Sequence, residues 1–178
     1  SQIIQHSSNI GIIKIIEKVG PKTLYTTSRD LGFGSKTGIK LDGEVKGTLN
    51  PYQNWSAVSL GQIAMGHEVG VTAIQLAMAY CAIANGGYLL QPKIIKQIID
   101  SKNSALHVEK PTIIRKIADG KTMVEIKKML RSVIINGTGN NAGITGWKVA
   151  GKTGTAQKWI DGKYSNNKFI SNFVGFFP

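Results

Sequence analysis

Residues 146–158, GWKVAGKTGTAQK, constrain the fold more than any other part of the chain, because they fit two local structures that exclude each other. From Gly146 to Thr153 they match G-x-x-x-x-G-K-[ST], the phosphate-cradling loop of nucleotide hydrolases. That loop needs a strand, a flexible turn and a helix beginning at the lysine, so that free N–H groups point at phosphate. Here Trp147, Lys148, Val149 and Ala150 fill the variable positions and read as strand, while Gly154 stands where the helix would begin. The nearest acid for a magnesium ion, Asp100, lies upstream in an irregular stretch. As a strand the same residues make better sense. Gly151 and Gly154 remove side chains where another backbone comes close, and Ala150, Thr153, Thr155 and Ala156 keep the ribbon slim. An extended peptide pairs along such an edge, with Lys152 offering a charge to its terminal carboxylate.

The rest of the chain supplies helices for this strand to pack against. Asn9–Val19 sets Ile13, Ile16 and Val19 against Lys14, Glu17 and Lys18, with Ser-Ser-Asn as a cap and Gly20-Pro21 as a stop. A weaker helical stretch reaches Leu31, and GFGSKTGIKLDGEVKGTLNPYQNW then predicts a long, ordered loop. VTAIQLAMAYCAIA, apolar nearly all round and followed by Asn85-Gly86-Gly87, predicts a buried helix with a left-handed cap. YLLQPKIIKQIID and SALHVEKPTIIRKI read as strands on an edge or an excursion. Asp119 caps a helix from Lys121 to Ile135, with Met123, Ile126, Leu130 and Val133 inward and Lys127, Lys128 and Arg131 outward. Two strands, WKVAGKTGTAQK and KFISNFVGFFP, follow, joined by the polar hairpin-like WIDGKYSNNK. The fold class is α+β, helices packed on a mostly antiparallel sheet.

Charge does not divert this reading toward nucleic acid. The formal charge is +12, but only Arg29, Arg115 and Arg131 are arginines among the 22 basic residues, and no dense basic run occurs. Base-edge readout leans on arginine, so the surface is a solvated lysine one that suits an anionic substrate or membrane face. No apolar run approaches membrane-spanning length, and the N-terminus lacks the layout of a signal peptide. The lone Cys81 excludes a disulfide framework and a zinc site, and reads as a small core residue.

Several blocks occur in one order: SSNIGIIKI, LGFGSKTGI, GEVKGTL, VTAIQLAMAYCAIANGG, INGTGNNA, VAGKTGTAQK and FVGFFP. In that order and spacing the chain, from about residue 7 to 178, resembles the transpeptidase domain of class B penicillin-binding proteins. The resemblance implies the penicillin-binding protein/serine β-lactamase-like fold. It implies that Ser7 relays a proton, that Asn9 binds the substrate's amide, and that Lys152, Thr153 and Gly154 form the K-T-G strand holding a terminal carboxylate. Thr155 resembles the residue whose backbone N–H is half of the oxyanion hole. A second Lys36-Thr37-Gly38 lacks a strand setting and reads as a loop feature.

The family's nucleophile belongs to an S-x-x-K upstream of S-x-N. The only S-x-x-K here, Ser165-Asn166-Asn167-Lys168, comes after K-T-G on a polar turn and reads as a decoy. Residues 1–178 are therefore expected to be a partial transpeptidase domain lacking the S-x-x-K helix before Ser1 and the strand and helix after Pro178, with no acyl-enzyme chemistry of its own. An open sheet edge would then reduce stability or favour self-association. Ala73, His67-Glu68 and Asp42 depart from the common pattern without touching a catalytic role. His67 reads as a loop histidine with a structural hydrogen bond, Trp159 and Tyr164 as groove lining or an exposed hairpin, and Trp55 as packing.

The function implied is peptidoglycan D,D-transpeptidation: acylation by stem peptides ending in D-Ala-D-Ala, then transfer to an acceptor amine, with β-lactams as substrate mimics and cell-wall synthesis proteins as partners. No cofactor or metal is implied. The resemblance places the parent protein on a bacterial membrane, facing outward, with its anchor outside this chain. A D,D-carboxypeptidase or β-lactamase, a penicillin sensor, and more remotely a nucleotide hydrolase are the alternatives.

Overall fold

Ser8, rather than Ser7, caps the first long helix. A computed structural model describes residues 1–177; Pro178, which ends the FVGFFP block, lies outside the described residues. A single turn, α1 (Gln2–Gln5), precedes α2 (Asn9–Val19), and Ser8 Oγ accepts from the Gly11 N–H at 3.1 Å. Gly20 ends α2 at φ 85°, and Pro21 opens α3 (Pro21–Asp30). Ile16 is buried as expected, whereas Val19, the last residue of α2, is exposed.

The glycine-rich region from Leu31 to Trp55 is ordered without regular structure, and one side chain organises it. Gln75 in α5 (Ala73–Ala84) is buried and donates its amide to the carbonyls of Ser35 at 2.7 Å and Lys46 at 2.9 Å. Its Oε1 accepts from the Thr72 N–H while Thr72 Oγ1 accepts from the Gln75 N–H, a reciprocal capping box. One glutamine thus starts a helix and satisfies loop carbonyls that would otherwise be stranded. Gly47 is obligatory here: its φ is 68°, and an added Cβ would sit 2.3 Å from the Gly70 carbonyl oxygen. Before α5 lies α4 (Ser59–Met65), which packs on α2 where Gly61 brings Ile13 close and which stops at Gly66, φ 94°.

The second face of α5 corrects one expectation. Met78, Ala79 and Ala82 are buried, but Cys81 lies on the opposite face and is exposed. After the cap come β1 (Tyr88–Leu90), β2 (Gln97–Ile99), β3 (Ala105–Val108) and β4 (Ile113–Lys116), pairing antiparallel as β1–β4 and β2–β3. Leu89 joins Met78 and Ala82 in the core, with Ile117 against them. α6 (Gly120–Asn136) is capped by Asp119, whose Oδ1 accepts from the Thr122 N–H at 2.7 Å. Met123, Leu130, Val133 and Ile134 are buried beneath it. Arg131 and Lys127 are not simply outward: Arg131 donates to the Val149 carbonyl at 2.8 Å, and Lys127 to that of Ala84 at 3.3 Å.

β5 (Ala150–Ile160) and β6 (Lys163–Phe176) form a long antiparallel hairpin running from Ala150↔Phe176 to Ile160↔Lys163. Asp161 and Gly162, at φ 49° and 77°, make the tight turn that a twisted hairpin requires. Such a turn leaves no room for a wide polar loop, so Ser165–Lys168 lies in β6 rather than in a turn. Among the described residues the strands form three two-stranded ladders rather than one sheet. The strand begins at Ala150, with Trp147 in a turn, and passes straight through Lys152 and Thr153 with no helix after them. That geometry removes the phosphate-loop reading.

Candidate functional site

The turn between α1 and α2 faces the middle of β5 across a cleft of about 290 Å³, lined among others by Ser7, Asn9, Lys152, Thr153, Gly154 and Thr155. Every residue expected to act thus borders one space, although the first and last are far apart in sequence. Ser7 sits there because Ser8 takes the cap, and because its backbone adopts φ 54°, which a non-glycine residue rarely accepts. Strain of that kind persists only where surrounding contacts hold it. Asn9, the first residue of α2, is exposed, and its amide makes no hydrogen bond among the described residues.

Lys152 is the centre of the arrangement. Its Nζ donates to Ser7 Oγ at 2.8 Å and to the Thr153 carbonyl at 2.8 Å. Partial burial holds its ammonium below the ordinary lysine value, which eases the exchange of a proton with the hydroxyl. Thr153 Oγ1 lies 2.9 Å from Thr138 Oγ1, which follows α6 in the INGTG segment. Thr155 is exposed on the strand, paired with Ser171. A hydroxyl, an ammonium, an amide and two threonines around one opening suit a substrate carrying a peptide carbonyl and a terminal carboxylate.

The glycines of β5 divide. A Cβ at Gly151 would lie 2.6 Å from the Val174 carbonyl oxygen and 2.9 Å from Gly175 Cα, as the close-backbone reading requires. At Gly154 the obstacle is instead a side chain, Asn172, with Oδ1 at 2.6 Å. Trp55 packs edge-on against Tyr25 and donates its indole N–H to the Asn50 carbonyl, as expected of a packing residue. His67 departs from expectation: it borders the cleft, and its Nδ1 is buried with no partner among the described residues. Its ring instead meets Tyr164 edge-on at 4.7 Å, Tyr164 meets Trp159 at 4.8 Å, and the Tyr164 hydroxyl accepts from the Glu68 N–H at 3.3 Å. Tyr164 therefore ties the hairpin to the loop after α4, while Trp159 stays largely exposed. In Ser165-x-x-Lys168 the serine Oγ bonds Asn167 and the backbone N–H groups of Asn167 and Lys168, all within its own strand.

Sequence reasoning missed Ala64 and Met65 of α4, which complete the cleft wall, and also Thr138. A larger apolar cavity of about 360 Å³ lies apart from all of these, between Gly38, Leu41, Pro92 and Ile94, and of its two lysines, Lys40 and Lys93, the second is ion-paired with Glu109. Chemistry rather than size marks the site.

A family model described as the penicillin-binding protein transpeptidase domain matches residues 1–178. The chain belongs to that family. Stage V sporulation protein D of Bacillus subtilis is 40% identical over 178 residues, covering 99% of this chain and 28% of that protein. The probable peptidoglycan D,D-transpeptidase PenA of Neisseria meningitidis is 30% identical over 177 residues, covering 99% of this chain and 29% of its own length. Among solved structures, penicillin-binding protein 3 of Mycobacterium tuberculosis, complexed with ampicillin, superposes with a TM-score of 0.90 at 32% identity, over 98% of this chain and 40% of that one. The chain thus spans less than a third of either curated relative. No helix among the described residues is long and apolar enough to cross a membrane.

Proposed function

We propose that this chain forms one wall of the active site of a serine D,D-transpeptidase that cross-links peptidoglycan stem peptides. The observation that carries the reading is the contact of Lys152 Nζ with Ser7 Oγ at 2.8 Å beside Asn9, Thr153 and Thr155. In the proposed reaction a serine outside residues 1–178 attacks the carbonyl of the penultimate D-Ala. The ester C–O bond forms, the peptide C–N bond breaks, and the serine's proton passes by way of Ser7 and Lys152 to the departing D-Ala amine. An acceptor amine then attacks the ester: a new peptide C–N bond forms, the ester C–O bond breaks, and the amine's proton returns to the serine oxygen. Asn9 orients the donor's amide, Lys152 and Thr153 hold its terminal carboxylate, and the Thr155 N–H supports the oxyanion.

β-Lactams bind as acylating mimics in this reading, and the protein acts in the bacterial envelope, anchored to the membrane by a segment outside this chain. The test is intact-mass analysis of the full-length protein after incubation with a penicillin, followed by peptide mapping. One adduct, on a serine outside residues 1–178, is the expected result; no adduct on folded protein overturns it. Incubating the penicillin-free full-length enzyme with a donor peptide ending in D-Ala-D-Ala and a stem-peptide amine separates transfer from hydrolysis, because only transfer forms the cross-linked product.

A further inference from the structure

The strained Ser7 turn needs a holder, and the structure shows what holds it. Ser7 is itself part of a closed ring of contacts. Its Oγ meets Lys152, whose neighbour Thr153 meets Thr138 Oγ1 at 2.9 Å, and the Thr138 N–H donates back to the Gln5 carbonyl at 3.3 Å, two residues before Ser7. Gln5 closes the ring a second time. Its Nε2 donates to the Asn136 carbonyl at 3.0 Å, at the last residue of α6, and lies 3.2 Å from His6 Nε2. Between these two contacts the chain has no slack: a Cβ on Gly137 would lie 2.3 Å from the Gln5 carbonyl oxygen.

α6 is fixed in turn to β5, since Arg131 donates to the Val149 carbonyl at 2.8 Å. Gln5 therefore grips the same body that carries Lys152. Without its amide the α1–α2 turn would lose one of its three hydrogen bonds to that body and could relax from φ 54°, carrying the Ser7 hydroxyl away. A displacement of about 1 Å at a reacting group is enough to slow a reaction by orders of magnitude.

We propose that Gln5 is a positioning residue for the transpeptidase reaction, holding Ser7 Oγ against Lys152 through its amide grip on the Asn136 carbonyl. The inference rests on the function proposed above. Its carbonyl link to Thr138 survives any side-chain change, so the amide contact alone can be tested.

The experiment measures acylation of the full-length protein by a fluorescent penicillin, in wild type, Gln5→Glu, Ser7→Ala and the double variant, with Tm recorded for each. Gln5→Glu keeps the shape and removes the donor. Its saturating acylation rate is expected to fall about tenfold, with the half-saturating penicillin concentration within about twofold of wild type, as for a group that acts on the bond-making step rather than on binding. In the Ser7→Ala background the same change is expected to have less than about a twofold effect, because the group it positions is gone. An equal rate in Gln5→Glu overturns the proposal, and so does a tenfold loss that persists in the Ser7→Ala background. If the glutamate unfolds the protein, Gln5→Met, which removes the donor without adding charge, gives the same comparison. A wild-type protein that takes no label overturns the transpeptidase reading and this proposal together.

Discussion

The chain contains the tripeptide Lys-Thr-Gly twice, and the two copies have opposite relations to carboxylates. In the loop copy, the Thr37 N–H and Oγ1–H both donate to Glu44 Oε1 at 2.5 Å, and the Gly38 N–H to Oε2 at 3.3 Å. The threonine is buried and the carboxylate comes from the chain itself. Those bonds, the Thr37 hydroxyl's first, hold the Glu44 carboxyl below its ordinary value of 4.5. In the strand copy, the Thr153 hydroxyl meets that of Thr138, Lys152 reaches Ser7, and the face opens on a cleft. The same tripeptide is a closed structural clasp at one site and the open wall of a cleft at the other. What separates them is backbone setting: a loop can fold its own glutamate onto the threonine, whereas a strand fixes its neighbours in the ladder and leaves the threonine side chain facing the cleft.

The largest predicted difference is catalytic. In the full-length protein, Lys152→Ala should slow penicillin acylation by about 10²-fold or more, while Lys36→Ala leaves it unchanged. Equal losses at both lysines would break the comparison. Lys152→Met should in addition keep or raise Tm near neutral pH, because burial favours the uncharged amine. With its folded value depressed, Lys152 binds its proton more weakly in the folded than in the unfolded chain, so its effect is a penalty that eases as pH rises toward 10.5. Next in size is Gln75→Leu. Stranding the Ser35 and Lys46 carbonyls should cost about 3 kcal/mol in urea unfolding and loosen the loop copy before the strand copy.

A threonine pair sharpens the contrast further. Thr153→Val should raise the penicillin concentration needed for half-maximal acylation by about tenfold, in line with one lost hydrogen bond to a charged group, whereas Thr37→Val should lower Tm and spare that concentration. The smallest effect is the acid response of Glu44. Because its folded value is depressed, its contribution is complete above 4.5 and disappears as pH falls through the folded value, so the loss of Tm on acidification should shrink in Glu44→Gln. An unchanged acid slope in that variant would show that the clasp does not hold the loop.

Much of this was legible in the sequence where one residue type performs one local task. Asp119 as a cap, Gly20-Pro21 as a break, and the slim residues of β5 declare themselves, and S-x-N and K-T-G do border one cleft. The misses have a common cause in distance. α4 has no side-chain cap and carries an internal glycine, so its helicity comes from packing on α2 rather than from its own residues. Cys81 sits in an apolar run that favours burial all round, yet the helix has only one covered face. The Asp161-Gly162 turn was visible as a hairpin, but the ladder resumes beyond a register shift between Gln157 and Trp159, opposite Ser165–Lys168, that no local pattern marks. Gln5, Thr138 and Gln75 act through partners many residues away, and no local pattern marks them.

The hydrogen bond between Ser7 and Lys152 spans 145 positions of the chain. At synthesis rates of about 5–20 residues per second, the serine leaves the ribosome on the order of 10 s before its partner exists. Closing so long a loop gains little until β5 pairs with β6, which follows Lys152 in the chain. The cleft is therefore assembled late relative to the turn that carries Ser7, which has no wall to face until β5 and β6 have both been made.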